Sequence, residues 1–318
     1  MERARICVVG AGRWGKNHLH TLHDMGCLAG VVETDAERRA QVRAEYGIRV
    51  HCDVEAAMVD GFDGYVVAVP AARHVQVALP LLEAGCAVLI EKPMALSTAD
   101  AIHLLEVAKQ HGARVMVGHL LLFHPAIRKV KELIDGGAIG RIAYLYSNRL
   151  NFGRVRAEEN AFWSLAPHDI SLFNFFLGGS PVEVSARGRA FLQTGVEDEV
   201  RATLRYEGGE VAYVFASWLH PFKEHRLVVV GSRGMVVYED SSEKKEVQYY
   251  RKGFEMRNGE AVGFDDGVEV IPYEPMMPLM AELRYFVQHL RDGYKVASGE
   301  EGAEVVRVLE QVSKQLRD

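Results

Sequence analysis

The chain has 318 residues, room for two domains of ordinary size. Its 43 acidic and 37 basic residues give a formal charge of -6, which argues against a protein that binds nucleic acid by charge alone. No apolar run is long enough to span a membrane, the N-terminal apolar stretch is too short for a signal peptide, and Cys7, Cys27, Cys52 and Cys86 lack C-x-x-C spacing, so a cytoplasmic enzyme with reduced thiols is expected.

The first element is an apolar run, Ile6 to Val9, that breaks into Gly10-Ala11-Gly12-Arg13-Trp14-Gly15. After a buried strand, Gly10 allows a tight turn, Gly12 lets the backbone approach a pyrophosphate, and Gly15 lets the next helix pack close to the strand. Arg13 and Trp14, inside the same turn, are candidate cofactor contacts. A helix from about Gly15 to Met25 stops at Gly26, and a second strand, Leu28 to Val32, finishes in Glu33. That carboxylate has the spacing to take the ribose hydroxyls of a dinucleotide and would repel a 2'-phosphate, so NAD is the expected cofactor. Arg38 and Arg39 fall on the exposed start of the following helix.

Asp35 should cap a helix over 36–46 that ends at Gly47, with a short strand near Val50 behind it. Tyr65 to Val69 is a continuous apolar strand that stops at Pro70, followed by a helix from His74 to Ala84. Cys86 to Ile90 is the next strand, and its end carries Glu91-Lys92-Pro93. Ser97 and Asp100 have the spacing of a capping box for a helix running to His111, and Val115 to Val117 is a sixth strand. Such alternation predicts a doubly wound parallel sheet of the Rossmann type, with ligands beyond the carboxyl ends of the strands. Those ends offer Pro70, His74, Glu91, Lys92, Gly118 and His119. Lys92 can aim an ammonium at the nicotinamide and stabilise an alkoxide; the ordinary alternative is a solvated lysine paired with Glu91.

Beyond His124-Pro125 a helix with Ile127, Val130 and Ile134 ends at Gly136-Gly137, and strands then follow strands: 142–150, 182–192, 199–206, 211–218, 226–230 and 235–239. The expectation is a C-terminal α+β domain, residues 121–318, with a large, open, mostly antiparallel sheet, behind a dinucleotide-binding domain of residues 1–120. A helix near 169–176 interrupts the sheet, residues 243–266 read as a long hairpin or a loop, and helices near 277–291 and 300–316 close the chain. The strands look apolar on both faces, which points to a homodimer or homotetramer assembled through this sheet. His18, His20 and His23 crowd one helix without the spacing of a zinc site, and no metal is expected.

Gly10-x-Gly12-x-x-Gly15, Glu91-Lys92-Pro93, Gly118 with Phe123 and Pro125 behind it, and His168-Asp169 resemble, in order and spacing, the Gfo/Idh/MocA family of NAD(P)-dependent oxidoreductases. The resemblance covers essentially the whole chain. It implies hydride transfer between a nicotinamide and a secondary alcohol of a sugar, cyclitol or related diol, a catalytic lysine at Lys92 followed by a proline that is often cis, and His168 as the acid-base residue. Many relatives carry an aspartate four residues before that histidine; Ser164 stands there, so a relay through an aspartate is not carried over.

The segments 148–154, 158–160 and 163–169 resemble a narrower branch that oxidises the 3-hydroxyl of UDP-N-acetylglucosaminuronate for surface-polysaccharide synthesis. On that reading Arg149, Asn151, Arg154, Arg156, Trp163 and Ser164, with Lys92 and His168, bind the substrate, and an arginine takes its carboxylate or pyrophosphate. The ordinary alternative is salt bridging of the arginines to Glu158 and Glu159. A dehydrogenase of a free sugar or cyclitol, or a non-catalytic NAD-sensing regulator, are the other functions this pattern admits.

Overall fold

The computed structural model describes residues 3–316, which form two compact units. One takes the chain up to Phe123 and again Met276–Arg307; the other takes His124–Pro275 and the chain from Val308 onward.

In the first unit β1 (Ile6–Val9), β2 (Leu28–Val32), β3 (Arg49–His51), β4 (Gly64–Val67), β5 (Ala87–Glu91) and β6 (Arg114–Gly118) form one parallel sheet in the order β3-β2-β1-β4-β5-β6. Every residue of β1, β4 and β5 is buried, which is why these strands read as unbroken apolar runs. The connecting helices are α1 (Arg13–Asp24), α2 (Ala36–Tyr46), α3 (Val54–Met58), α4 (His74–Glu83) and α5 (Thr98–His111). Asp35 accepts from the Arg38 N–H at 2.8 Å and Ser97 from the Asp100 N–H at 3.0 Å, so both expected caps form. The short α3, capped by Asp53, has too few residues to show a helical period in the sequence. Strand order reverses at β1, which pairs with β2 on one side and β4 on the other, and this opens a crevice at the carboxyl ends of those strands.

The expected division into residues 1–120 and 121–318 needs correction, because the chain returns to the first unit near its end. There α9 (Pro278–Gln288) and the start of α10 (Gly299–Leu316) bury apolar side chains against floors that only glycine leaves open. Leu290 and Phe286 lie over Gly64, where a Cβ would stand 2.7 Å from Leu290 Cδ2, and Gly302 lies over Val117. The Val117 N–H also donates to Ala297 O at 2.8 Å, which stitches this returning segment to β6.

The second unit opens with α6 (Pro125–Asp135) and contains β7 (Ile142–Phe152), α7 (Ala161–Leu165), α8 (Pro167–Leu177), β8 (Glu183–Arg189), β9 (Glu199–Arg205), β10 (Val211–Ser217), β11 (Leu219–Gly231), β12 (Met235–Glu239), β13 (Val247–Arg257) and β14 (Glu260–Ile271). The strands make one eight-stranded sheet in the order β14-β13-β12-β11-β7-β10-β9-β8, antiparallel except for the β7–β10 pair. Residues 243–266, open between hairpin and loop from sequence, belong mainly to the β13–β14 hairpin at the sheet edge. Along β9 and β10 side chains alternate between buried and outward positions. The sheet is therefore not apolar on both faces, as the sequence suggested. Its outward residues mix exposed tyrosines, Tyr144 and Tyr213, with the Arg201 guanidinium stacked 4.5 Å from the Phe215 ring centroid.

Candidate cofactor and catalytic site

The glycine turn meets its purpose at the mouth of β1. Gly10 has φ +100°, and a Cβ on Gly15 would lie 1.9 Å from Gly10 O, so helix and strand approach as closely as the motif demands. Nothing lies within 4 Å of a Cβ built on Gly12, which begins α1 without a side-chain cap and leaves its backbone N–H groups for an anion. Glu33 is buried at the end of β2, where its carboxylate accepts from the Ala11 and Asp35 N–H groups, each at 3.0 Å. Each carboxylate oxygen can accept two hydrogen bonds, so the pair keeps acceptor capacity for ribose hydroxyls. Arg38 stands 3.6 Å from Glu33, and Arg39 donates to the Glu33 and Thr34 carbonyls at 2.7 Å, so both arginines brace this loop. A cavity of about 490 Å³ is lined by Gly10, Gly12, Glu33, Arg38, Pro70 and Arg73 among others. An open glycine turn at a helix N-terminus, a buried acid and this cavity fit a dinucleotide.

Glu91 ends β5 at the same carboxyl edge of the sheet as the glycine turn. It is buried, receives the Trp14 indole N–H and the His18 Nε2 at 2.7 Å, and accepts from the Lys92 N–H at 3.2 Å. Burial pushes its carboxyl up, but His18, the Trp14 hydrogen bond and the Lys92 charge outweigh that and hold it below the usual carboxylate range. Glu91 and Trp14, expected at the cofactor, thus form a clamp between α1 and β5, with the Trp14 ring still partly exposed. Arg13, at the first position of α1, is exposed. The Lys92–Pro93 peptide is cis, as the family resemblance implies.

His74 departs from its expected role. Its Nδ1 lies 2.9 Å from Pro93 O and its Nε2 2.9 Å from Val69 O, with the ring buried. Both nitrogens face backbone, so His74 fastens the Lys92–Pro93 turn to the end of β4 and is not a direct cofactor contact. Burial keeps its pKa below the ordinary histidine value.

In the second unit Pro167 starts α8 and His168, half-buried, stands in its first turn, its carbonyl accepting from Ser171 Oγ at 2.8 Å. Next to it Asp169 is fully buried and gripped by Arg149 of β7, Nε to Oδ2 at 3.0 Å and Nη2 to Oδ1 at 2.7 Å. This two-pronged pair corrects the expectation that Arg149 binds substrate: its fork is committed to Asp169. Beside it, burial and then the Arg149 charge push His225 down to about 3, so that imidazole is neutral. Arg156 lies 3.6 Å from Glu159, the salt bridge the ordinary reading allowed, whereas exposed Arg154 makes no ion pair among the described residues. Asn151 Oδ1 is buried without a protein hydrogen-bond partner among the described residues. Trp163 donates its indole N–H to Ser313 Oγ at 2.7 Å, which fixes α7 to the end of α10, and Ser164 follows it half-buried.

The crowded histidines of α1 have separate tasks, His18 on Glu91 and His20 beside Asp24 at 3.5 Å. Sequence reading missed what His18 does, although Trp14 and His18 are one helical turn apart on the same face and so could reach one acceptor.

Residues 4–119 match the family described as oxidoreductases with an NAD-binding Rossmann fold, GFO_IDH_MocA, and residues 127–237 match the GFO/IDH/MocA C-terminal domain. The chain is 32% identical over 218 residues, 68% of each chain, to UDP-N-acetylglucosamine 3-dehydrogenase of Acidithiobacillus ferrooxidans. The structure of that enzyme, GnnA, superposes with a TM-score of 0.86, covering 99% of this chain and 98% of its own, at 26% identity over the superposition. Scyllo-inositol 2-dehydrogenase (NAD(+)) of Bacillus subtilis is 26% identical over 254 residues, 74% of this chain and 73% of its own. The WlbA dehydrogenase of Bordetella pertussis, solved with NADH and UDP-GlcNAcA, shares the fold with a TM-score of 0.81 at 22% identity, over 100% of this chain and 97% of its own. With both of its domains matched, the chain belongs to the Gfo/Idh/MocA family of NAD-dependent oxidoreductases.

Proposed function

We propose that this oxidoreductase removes a hydride from C3 of a UDP-linked N-acetylamino sugar, with UDP-N-acetylglucosamine as the preferred substrate. The observation that carries this reading is the 32% identity to a UDP-N-acetylglucosamine 3-dehydrogenase, in a chain that also has Lys92 and His168 at the family positions. NAD, when bound, supplies the hydride acceptor. The protein's own residues do the rest. Gly12 and the N-terminus of α1 take the pyrophosphate, and Glu33 takes the ribose hydroxyls. Lys92 holds the sugar hydroxyl and offsets the negative charge that develops on its oxygen, while His168 receives the hydroxyl proton.

A sugar acid, UDP-N-acetylglucosaminuronate, is the second reading, and exposed Arg154 favours it because a guanidinium without an ion pair can take a carboxylate. Reduced-nicotinamide absorbance, followed with NAD and UDP-N-acetylglucosamine, UDP-N-acetylglucosaminuronate or scyllo-inositol, separates these possibilities. The nucleotide sugars should be oxidised, the neutral one with the higher kcat/KM. Preference for the uronate, lost in Arg154→Ala, selects the second reading, and use of the cyclitol alone removes both. Lys92→Ala and His168→Ala should each lower kcat by about 10²–10⁴-fold, the range for losing charge stabilisation or a general base.

A further inference from the structure

A second cavity, of about 450 Å³, lies within the first unit and shares no lining residue with the cofactor cavity. Three segments form it. From α5 come Ile102, Leu105, Glu106 and Lys109, a stripe at i, i+3, i+4 and i+7 beside the buried Ala101 and Leu104. Arg114 comes from the start of β6, and Tyr294 and Glu300 come from the segment that returns to this unit between α9 and α10. The sheet ends at β6. The returning segment covers that edge toward its carboxyl end, where the Val117 N–H donates to Ala297 O at 2.8 Å and Met116 bridges Ser298. Gly299 lets it close down there, since a Cβ on it would stand 2.5 Å from Leu105 Cδ2. The cavity lies at the other end of the strand, beside Arg114.

The recessed polar groups of this cavity have no protein partner among the described residues. Tyr294 Oη is buried without a hydrogen bond, and the ring that carries it stacks on Phe286, centroids 5.7 Å apart at 20°. Arg114 is half-buried, and its guanidinium makes no ion pair or hydrogen bond among the described residues. Burial, partly offset by the Arg114 charge, pushes the Tyr294 phenol up, so it keeps its O–H. A guanidinium donates and accepts nothing, and a phenol O–H donates, so an anion that only accepts satisfies both. The planar fork of Arg114 matches a carboxylate through paired N–H groups. Ile102, Leu105, Ala108 and Val115 supply apolar wall. Glu106 and Glu300, both exposed, add two negative charges against those of Arg114 and Lys109, which disfavours a doubly charged guest such as a phosphate ester.

We infer that this cavity binds a small monocarboxylate with an apolar body, its carboxylate on Arg114 and Tyr294 and its hydrocarbon against Ile102 and Leu105. Such a ligand joins α5, the start of β6 and the returning segment. Tyr294 passes the contact on to Phe286, whose ring lies over Gly64 of β4. The site is independent of the substrate proposed above, and its test needs no turnover.

Isothermal titration of the whole protein, with saturating NAD to fill the cofactor crevice, uses phenylacetate, hexanoate and 4-methyl-2-oxopentanoate as probes. At least one should bind saturably with a Kd of about 1 mM or tighter, the scale for a ligand of this size. Phenylacetamide, which keeps the shape of phenylacetate and loses the charge, should bind at least about tenfold more weakly than phenylacetate. Arg114→Gln should weaken the bound carboxylate by about 10–100-fold, and Tyr294→Phe by about 3–10-fold. Ile102→Glu, at an exposed position of α5, should block binding by putting a negative charge into the apolar wall, and it keeps the test decisive if Arg114→Gln does not fold. Absence of binding by all three probes at about 10 mM overturns the proposal. So does an affinity unchanged in Ile102→Glu and Tyr294→Phe, which would place the carboxylate elsewhere, and so does tighter binding of phenyl phosphate than of phenylacetate.

Discussion

Glu33 shows how one side chain can set a cofactor preference. Its carboxylate is anchored by two backbone N–H groups, and a 2'-phosphate would meet that buried negative charge. Arg38, 3.6 Å away in the first turn of α2, remains when the acid is removed. Glu33→Ala should therefore narrow the preference for NAD over NADP, read by fluorescence titration of the two reduced cofactors. Equal affinity of the unmodified protein for both would contradict the assignment. The position of Glu33 just beyond β2 was legible from its spacing after the glycine turn, and that of Lys92 from the apolar strand it follows. His74 was not, since both of its partners are backbone carbonyls, Val69 O and Pro93 O, brought together only by the pairing of β4 with β5.

At the scale of elements, the Arg149–Asp169 pair ties β7 to the first turn of α8, and so fixes the backbone that carries His168. Arg149→Ala leaves Asp169 buried without its cation, a loss of about 3–5 kcal/mol. Denaturant unfolding should show that drop for Arg149→Ala and little change for exposed Arg154→Ala. An Arg149→Ala protein as stable as the parent would mean that the fork is not a structural tie. Most element boundaries were readable within a residue or two, because Asp35, Gly47, Ser97 and Gly112 carry local cap chemistry. What local chemistry does not encode was missed. The five-residue helices α3 and α7 are too short for a period, and β11 extends to Leu219 through a register break and a polar stretch that does not alternate.

For the whole molecule, alternation of strands and helices carried the Rossmann sheet, but not the return of α9 and the start of α10 to it, which depends on small residues such as Gly64 and Gly302 accepting distant apolar side chains. Assembly of two copies through the second sheet is a proposal that its outward Tyr144 and Tyr213 and the Arg201–Phe215 stack leave to be tested. Light scattering should give a mass of at least twice 35.4 kDa, reduced by Tyr213→Glu; a monomer at micromolar concentration would remove this assembly.

The proposed hydride transfer from C3 of a UDP-N-acetylamino sugar to NAD is tested most directly with C3-deuterated UDP-N-acetylglucosamine. Mass spectrometry should find the deuterium on the reduced nicotinamide, formed one for one with a 3-keto nucleotide sugar and slowed by about 10²–10⁴-fold in Lys92→Ala. Reduced cofactor without the label, or no reduction while another alcohol is oxidised, would contradict the account.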